Sequence, residues 1–589
     1  MKSRISSIQE GCTGRWANVA ARIVAVSAVI AFPFLLWALD RWALDVEGNA
    51  YLASGSVLRN AMPGLVVIFL LWAITRRLLF PALLVGSIHV LLYVAASIKL
   101  DVLGTPVNLQ DRYFLTSFDA GSAQLFGAYI EGYPVWQIGL GSVFMLVAAW
   151  VVEKPWFSRA RLVRWGWQVF VALLSACLWH AAWPWNAAYT QEKVRASKQV
   201  DILGVLRSGL ISSLVYRHVE ILNMPRILDM PAFKSLVADL GGAKALSSAS
   251  APEVAPDIVI VMSESLVDPR MLKGMASMPE IIPNLRHQIE LGHGGGMKVP
   301  TYGGGTVRTE FEVLTAMPLA AFPATEYPYA DLQRKQMPGL AALLARNGYA
   351  TSAVHGNAGS FWNRTTTYRG MGFQRFITER EFQKWPGAFR DGRWYSDQTM
   401  TDIVLRELEQ EPAKPKFVFA ISMQAHGPYH DKAEVEDPTA WAAIQLPSSL
   451  QGDAELPLRN HLYHVSKADE QFGRLLQEMR KRGRPFVLAF FGDHLPGLPE
   501  AWSAMGFTNG GGTDLQLLPW TVVAEGIERP SGPSAAVPQH SWQLPAYILS
   551  SAGIEPRTSV SLDGLGINWK EQVPCGSDRY SAASGLPRY

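Results

Sequence analysis

Six residues carry reactive side chains in settings that suggest chemistry: Glu264, Thr306, His355, His426, Asp493 and His494. A threonine hydroxyl is a weak nucleophile until something lowers its pKa, and a bound divalent cation does so effectively. Glu264, Asp493 and His494 supply two carboxylates and one imidazole, which with Thr306 make a four-ligand site for a hard to borderline cation. Mn2+ or Mg2+ suits this oxygen-rich set, and Zn2+ suits it less because no thiolate accompanies it. The three cysteines, Cys12, Cys177 and Cys575, lie far apart and form neither a zinc spacing nor a disulfide framework. Thr306 follows three glycines within residues 300–318 and leads into a helical pattern. That spacing has two readings, an anion cradle at a helix N-terminus or an ordinary helix start capped by threonine.

The elements that must position these residues are legible as apolar runs. Asp257 to Met262 leads into Glu264, Thr351 to Val354 into His355, Lys416 to Ser422 toward His426, and Phe486 to Phe491 into Asp493 and His494. Ligands of open α/β sheets gather beyond the carboxyl ends of the strands, so four runs each followed by an acid or an imidazole predict one site. Helical patterns between the runs, at Gly339 to Asn347 and Asp469 to Arg480, predict βαβ units and a largely parallel sheet.

The chain is 589 residues long with a formal net charge of +3, and its composition changes sharply along its length. No long basic stretch is present, which argues against nucleic acid as a partner. Five apolar segments are expected to cross a membrane: Ile23 to Leu39, Ala61 to Thr75, Leu78 to Ile98, Pro134 to Val152 and Val163 to Trp183. Arg76, Arg77, Lys154, Arg159, Arg161 and Arg164 fall where a cytoplasmic N-terminus predicts, so residues after 185 are expected outside the cytoplasm. The division expected is a five-span membrane domain over 1–185, amphipathic interfacial helices and a linker over 186–255, a catalytic domain over 256–575 and a tail over 576–589.

The motifs Glu264, Gly-Gly-Gly-Thr306 through Glu310-Phe311, His355-Gly-Asn-Ala-Gly-Ser-Phe-Trp362-Asn-Arg364, Gln-Ala-His426-Gly-Pro-Tyr and Gly492-Asp493-His494 occur in a familiar order. In that order the chain resembles the lipoteichoic acid synthase family of sulfatase-fold phosphoglycerol transferases, and the resemblance extends to the membrane half. It implies an alkaline-phosphatase-like α/β extracytoplasmic domain with Mn2+ or Mg2+ held by Glu264, Thr306, Asp493 and His494. It also implies Thr306 as the catalytic nucleophile and Trp362, Arg364 and His426 as binders of the glycerol-phosphate group. The guanidinium of Arg364 can fork onto phosphate oxygens, the indole of Trp362 offers glycerol a flat face, and His426 can protonate a leaving alcohol. His355 matches a position near the pocket without an assigned role.

By this resemblance the donor is phosphatidylglycerol, the acceptor is a glycan or glycolipid, and the setting is a bacterial cytoplasmic membrane. Gly305-Thr306-Val307-Arg308 departs from the Lys-Thr-Ser-Asp common around the nucleophile of Gram-positive members, so a glucan or another surface glycan stands equally with lipoteichoic acid as the implied product. Phosphoethanolamine transfer and a retired membrane sensor are the competing readings. Sulfate-ester hydrolysis needs a Cys or Ser where Thr306 stands.

Overall fold

A computed structural model describes residues 2–44, 55–103, 106–111, parts of 123–156, 161–194, parts of 205–223, 249–250, 254–321, parts of 325–331, 339–429, 435–527 and 537–556. Cys575, the expected tail and most of the expected linker lie outside the described residues.

The N-terminal half is helical: α1 Lys2–Leu44, α2 Ser56–Thr75, α3 Leu79–Leu103, α4 Val135–Val152, α5 Arg161–Trp179 and α6 Leu210–Asn223. Among the described residues four helices, α1 to α4, are long and apolar enough to cross a membrane. The expected fifth span, Val163 to Trp183, falls short of that length in the structure. Arg161, Arg164 and Gln168 occupy the first turns of α5, and its apolar stretch is Trp165–Trp179. That stretch is about 22 Å long at ~1.5 Å per residue, short of the ~30 Å hydrocarbon core.

Buried polar groups lock the bundle. Glu153, fully buried after α4, accepts from the backbone amides of Leu78 at 2.7 Å and Leu79 at 2.9 Å, capping the start of α3. Asp40 accepts from the amide of Leu210 at 2.9 Å, and Asn60 Oδ1 from that of Ser212 at 2.7 Å. These bonds satisfy orphan donors at the N-terminus of α6, while Ile211, Val215 and Val219 pack into the bundle's apolar cluster.

The second half is built on seven strands: β1 Asp257–Ser263, β2 Gly294–Met297, β3 Ala350–His355, β4 Arg375–Ile377, β5 Lys416–Ile421, β6 Phe486–Gly492 and β7 Leu518–Glu525. Their order across the sheet is β2-β7-β6-β1-β5-β3-β4. β1, β3, β4, β5 and β6 are mutually parallel, and β7 runs antiparallel to β6 and β2. Every residue of β1 is buried, as a strand covered on both faces must be. Val259 and Val261 face one core layer, Ile258, Ile260 and Met262 the other, following the two-residue period of a strand. Two further helices matter for the site: α7 Thr306–Thr315 and α8 Glu455–Lys481.

Candidate active site

Register places the reactive residues side by side. Met262 pairs with Phe491 and Ser263 with Gly492, so β1 and β6 end together and release Glu264 and Asp493-His494 at the same sheet edge. On the other side of β1, Met262 pairs with Ile421, and Ile421 with His355 on β3. The runs that the sequence ends in acids and imidazoles therefore converge at one edge of the sheet.

Thr306 enters at the first position of α7. Gly303, Gly304 and Gly305 all hold positive φ (68°, 149° and 73°), which glycine adopts without the Cβ penalty. The turn brings Thr306 Oγ1 to 3.4 Å from Glu264 Oε2 and 3.5 Å from His494 Nε2. His494 Nε2 lies 3.2 Å from Glu264 Oε1 and 3.3 Å from Asp493 Oδ2. One ligand atom from each of Glu264, Asp493 and His494 falls within 4.8 Å of the others, with all three residues buried.

The surrounding bonds hold these groups in place. Asp493 Oδ1 accepts from the amides of Ser265 at 2.7 Å and His494 at 2.8 Å. Thr309, one turn along α7 from Thr306, donates to the Asp493 carbonyl at 2.7 Å and ties the helix to the ligand loop. Ser265 sits at φ 52°, its hydroxyl donating to Glu264 Oε1 at 3.1 Å and its carbonyl 2.9 Å from Nε2 of the buried His461 on α8. The His494 Nδ1–H can donate to the Leu495 carbonyl at 3.0 Å, which leaves Nε2 as the ligating nitrogen.

The electrostatics fit a cation. Burial pushes the Glu264 carboxyl up, but the imidazoles of His426 and His494 outweigh it and hold Glu264 well below its usual range. Burial and the charge of Glu264 together push Asp493 up. Burial lowers His494, yet the two carboxylates more than offset that and raise it to about 9. Asp493 Oδ2 is buried with no hydrogen-bond partner. Two carboxylates that keep protons nearby to relieve their repulsion, one of them with an orphaned oxygen, are the donor set a divalent cation would satisfy.

The residues expected to bind glycerol phosphate are distributed around this edge. Arg364, buried, directs Nε at 3.0 Å and Nη2 at 2.9 Å onto Glu310 Oε2, and its Nη1 lies 3.1 Å from His355 Nε2. Two of its donors are thus spent on Glu310, and Nη1 is on the side of His355. Burial and the Arg364 charge push His355 well down, so it is neutral, with Nδ1–H toward the Ile421 carbonyl and the Nε2 lone pair toward Arg364. The residue left without a role by sequence thus orients the guanidinium. Trp362 and Asn363 both hold φ 58°, and the Trp362 ring lies 4.6 Å from that of Tyr327. His426 Nδ1 is 2.8 Å from the Gly427 carbonyl, and its ring meets Trp394 edge-on at 5.2 Å.

Sequence reading has Glu310 only as part of a motif, with no role assigned, yet besides the Arg364 donors it also accepts from the Tyr368 hydroxyl. The signal was present: Glu310 is four residues after Thr306 in a helical pattern, hence on the same face.

Comparisons with known proteins agree with this architecture. The chain is 32% identical over 255 residues to the "Putative cyclic beta-1,2-glucan modification protein" of Rhizobium meliloti (strain 1021), covering 43% of this chain and 38% of that protein. It is 25% identical over 370 residues to the capsular polysaccharide biosynthesis protein RkpI of the same organism, covering 61% of this chain and 63% of that one. The match thus spans less than two-thirds of either relative's length. Among solved structures, the integral membrane lipooligosaccharide phosphoethanolamine transferase A of Neisseria meningitidis superposes with a TM-score of 0.55 at 14% identity, covering 91% of this chain and 95% of that one. That likeness is one of fold, and it takes in the apolar helices as well as the sheet. Residues 256–563 match the sulfatase family model. Since this match takes in more than half of the chain and all the strand-end residues described above, the chain belongs to the sulfatase family.

Proposed function

We propose that this membrane protein is a phosphotransferase that moves glycerol phosphate from phosphatidylglycerol to a glycan or glycolipid outside the cytoplasm, through a phospho-threonine at Thr306. The observation that carries the reading is the position of Thr306 Oγ1, 3.4 Å from Glu264 Oε2 and 3.5 Å from His494 Nε2 at the first turn of a helix. When bound by Glu264, Asp493, His494 and Thr306, a divalent cation, Mn2+ or Mg2+, would lower the pKa of the threonine hydroxyl and offset phosphate charge.

The chain's own residues do the rest. Thr306 Oγ1, its proton released to solvent, attacks phosphorus as the bond to the diacylglycerol oxygen breaks, and the amides at the α7 N-terminus face the phosphoryl oxygens. Nη1 of Arg364, steadied by Glu310 and His355, adds a charged donor to those oxygens. His426, its Nδ1 engaged by the Gly427 carbonyl, exchanges protons through Nε2: it protonates the departing alcohol and takes a proton from the incoming acceptor hydroxyl. The acceptor oxygen then displaces Thr306, which takes a proton back from solvent, leaving His426 protonated for the next donor. Trp362 offers the glycerol a face.

A glycan acceptor is supported by the two rhizobial relatives, which are named for modification of a cyclic glucan and biosynthesis of a capsular polysaccharide. The test is to give the purified protein fluorescent phosphatidylglycerol or phosphatidylethanolamine with Mn2+ and follow diacylglycerol. Release from phosphatidylglycerol is expected. Release from phosphatidylethanolamine alone would replace this reading with phosphoethanolamine transfer.

A further inference from the structure

The wall of the site beside Trp362 includes residues of the membrane half. Lys99, near the end of α3, pairs with Asp111 at 2.8 Å, both being largely buried. Asp111 closes a short turn, Leu109–Asp111, and its Oδ2 accepts from the Asn108 amide at 2.8 Å. Across 216 residues, the Tyr327 hydroxyl donates to Asp111 Oδ1 at 2.6 Å. The Tyr327 ring then lies 4.6 Å from Trp362, whose backbone is held at φ 58°. A tryptophan in the left-handed region persists only where its surroundings over-determine it. Here those surroundings include Tyr327 and an apolar cluster shared between the two halves, with Val94, Ile98 and Tyr129 from one and Phe361, Trp394 and Met423 from the other. Tyr129 stands near enough to Glu264 that, after burial, the carboxylate charge further disfavours ionisation of its phenol.

We propose that Asp111 of the membrane half is a positioning residue for the donor: through the Tyr327 hydroxyl it fixes the Trp362 ring, so the headgroup site is complete only with the catalytic domain seated on the bundle. This rests on the reading of Trp362 as the headgroup platform. Lys99 holds the carboxylate in place, the carboxylate holds the phenol, and the phenol's ring supports the indole. The arrangement couples the headgroup site to the part of the protein that meets the lipid, so a headgroup is gripped where its acyl chains are still in the membrane.

The test uses the full-length chain in phosphatidylglycerol-containing nanodiscs, comparing wild type, Tyr327→Phe, Asp111→Ala and the double variant. Tyr327→Phe keeps the ring and removes only the hydroxyl, so folding is preserved. Each single variant is expected to raise KM for phosphatidylglycerol about tenfold while kcat changes less than twofold, because a positioning loss acts on donor binding. The double variant is expected to be no worse than the more damaged single one, since both remove the same bond. Mn2+ affinity by calorimetry is expected to stay at the wild-type value. Unchanged KM in Tyr327→Phe, additive effects, or joint loss of kcat and Mn2+ binding would each overturn the relay. A wild-type protein that cleaves no phosphatidylglycerol would instead overturn the functional reading itself.

Discussion

Asp493 Oδ2, buried and without a hydrogen-bond partner, is the atom on which the case for a cation turns. A buried carboxylate oxygen with no hydrogen bond, only His494 Nε2 at 3.3 Å, is costly, and a first-coordination contact to a divalent cation removes that cost. Asp493→Asn keeps the side chain's size and removes its charge. It is expected to weaken Mn2+ binding at least 100-fold by calorimetry while leaving the far-UV circular dichroism unchanged, whereas retained affinity would show that the ligand set is wrong. Residues of this kind were readable in sequence because each acid or imidazole sits directly after an apolar run. Arg364 was legible only in part. Its motif marks it, but the pair of bonds from Nε and Nη2 to the one Oε2 of Glu310, 54 residues away, is set by tertiary packing, which no local pattern records.

At the scale of elements, α7 carries the nucleophile and is anchored at both ends. Thr309 ties its first turn to the Asp493 carbonyl at 2.7 Å, and Glu312 in its second half accepts from the Leu319 amide at 2.7 Å and from the Ser541 hydroxyl. Burial, only partly offset by these bonds, raises the Glu312 carboxyl from 4.5 to about 7. The folded state therefore binds this proton more tightly than the unfolded chain does. The resulting stabilisation is full below about pH 4.5 and is lost as pH rises through about 7. Glu312→Gln keeps an acceptor and a donor without the charge. It is expected to flatten the fall in thermal midpoint between pH 5 and pH 8, and to stabilise the pH 8 protein by roughly 2 to 3 kcal/mol. A slope unchanged by the substitution would count against Glu312 as its source. The four runs that form β1, β3, β5 and β6 were legible because buried parallel strands are continuous apolar runs. The glycine-rich β2, the short β4 and the antiparallel β7 were not read, nor was the seven-strand order, because pairing between distant segments leaves no mark in one sequence. The fifth span was over-read for a related reason: Trp183 and the residues before it are apolar, but α5 stops at Trp179.

For the molecule as a whole, the two ends of the helical bundle differ in charge and in what they meet. Arg76 and Arg77 sit at the junction of α2 and α3, where the Arg77 Nε donates to the Glu153 carbonyl at 2.7 Å beside Lys154. The opposite end of α3 carries Lys99 paired to Asp111, and there Tyr327 of the catalytic half is bound. The chain returns from the Arg77 end along α5 and the residues after it, Gln168 donating to the Ala73 carbonyl at 2.7 Å near one end of α2 and Tyr189 to the Arg59 carbonyl at 2.6 Å near the other. Since basic residues favour the cytoplasmic face, the catalytic half is expected on the other side, and alkaline phosphatase fused after residue 250 is expected to be active. An inactive fusion, with a cytoplasmic reporter active at the same point, would refute that placement. Contacts such as Asp111 to Tyr327 were invisible in the sequence, because 216 residues separate partners of ordinary type. The central claim is that Thr306 carries the group covalently between donor and acceptor, so donor cleavage and acceptor loading are separate steps. It is tested most directly by mass spectrometry of protein given phosphatidylglycerol and Mn2+ but no acceptor. The account predicts a glycerophosphoryl adduct on the peptide containing Thr306, absent in Thr306→Ala along with all diacylglycerol release. No adduct in the wild type, with Thr306→Ala still releasing diacylglycerol, would contradict it.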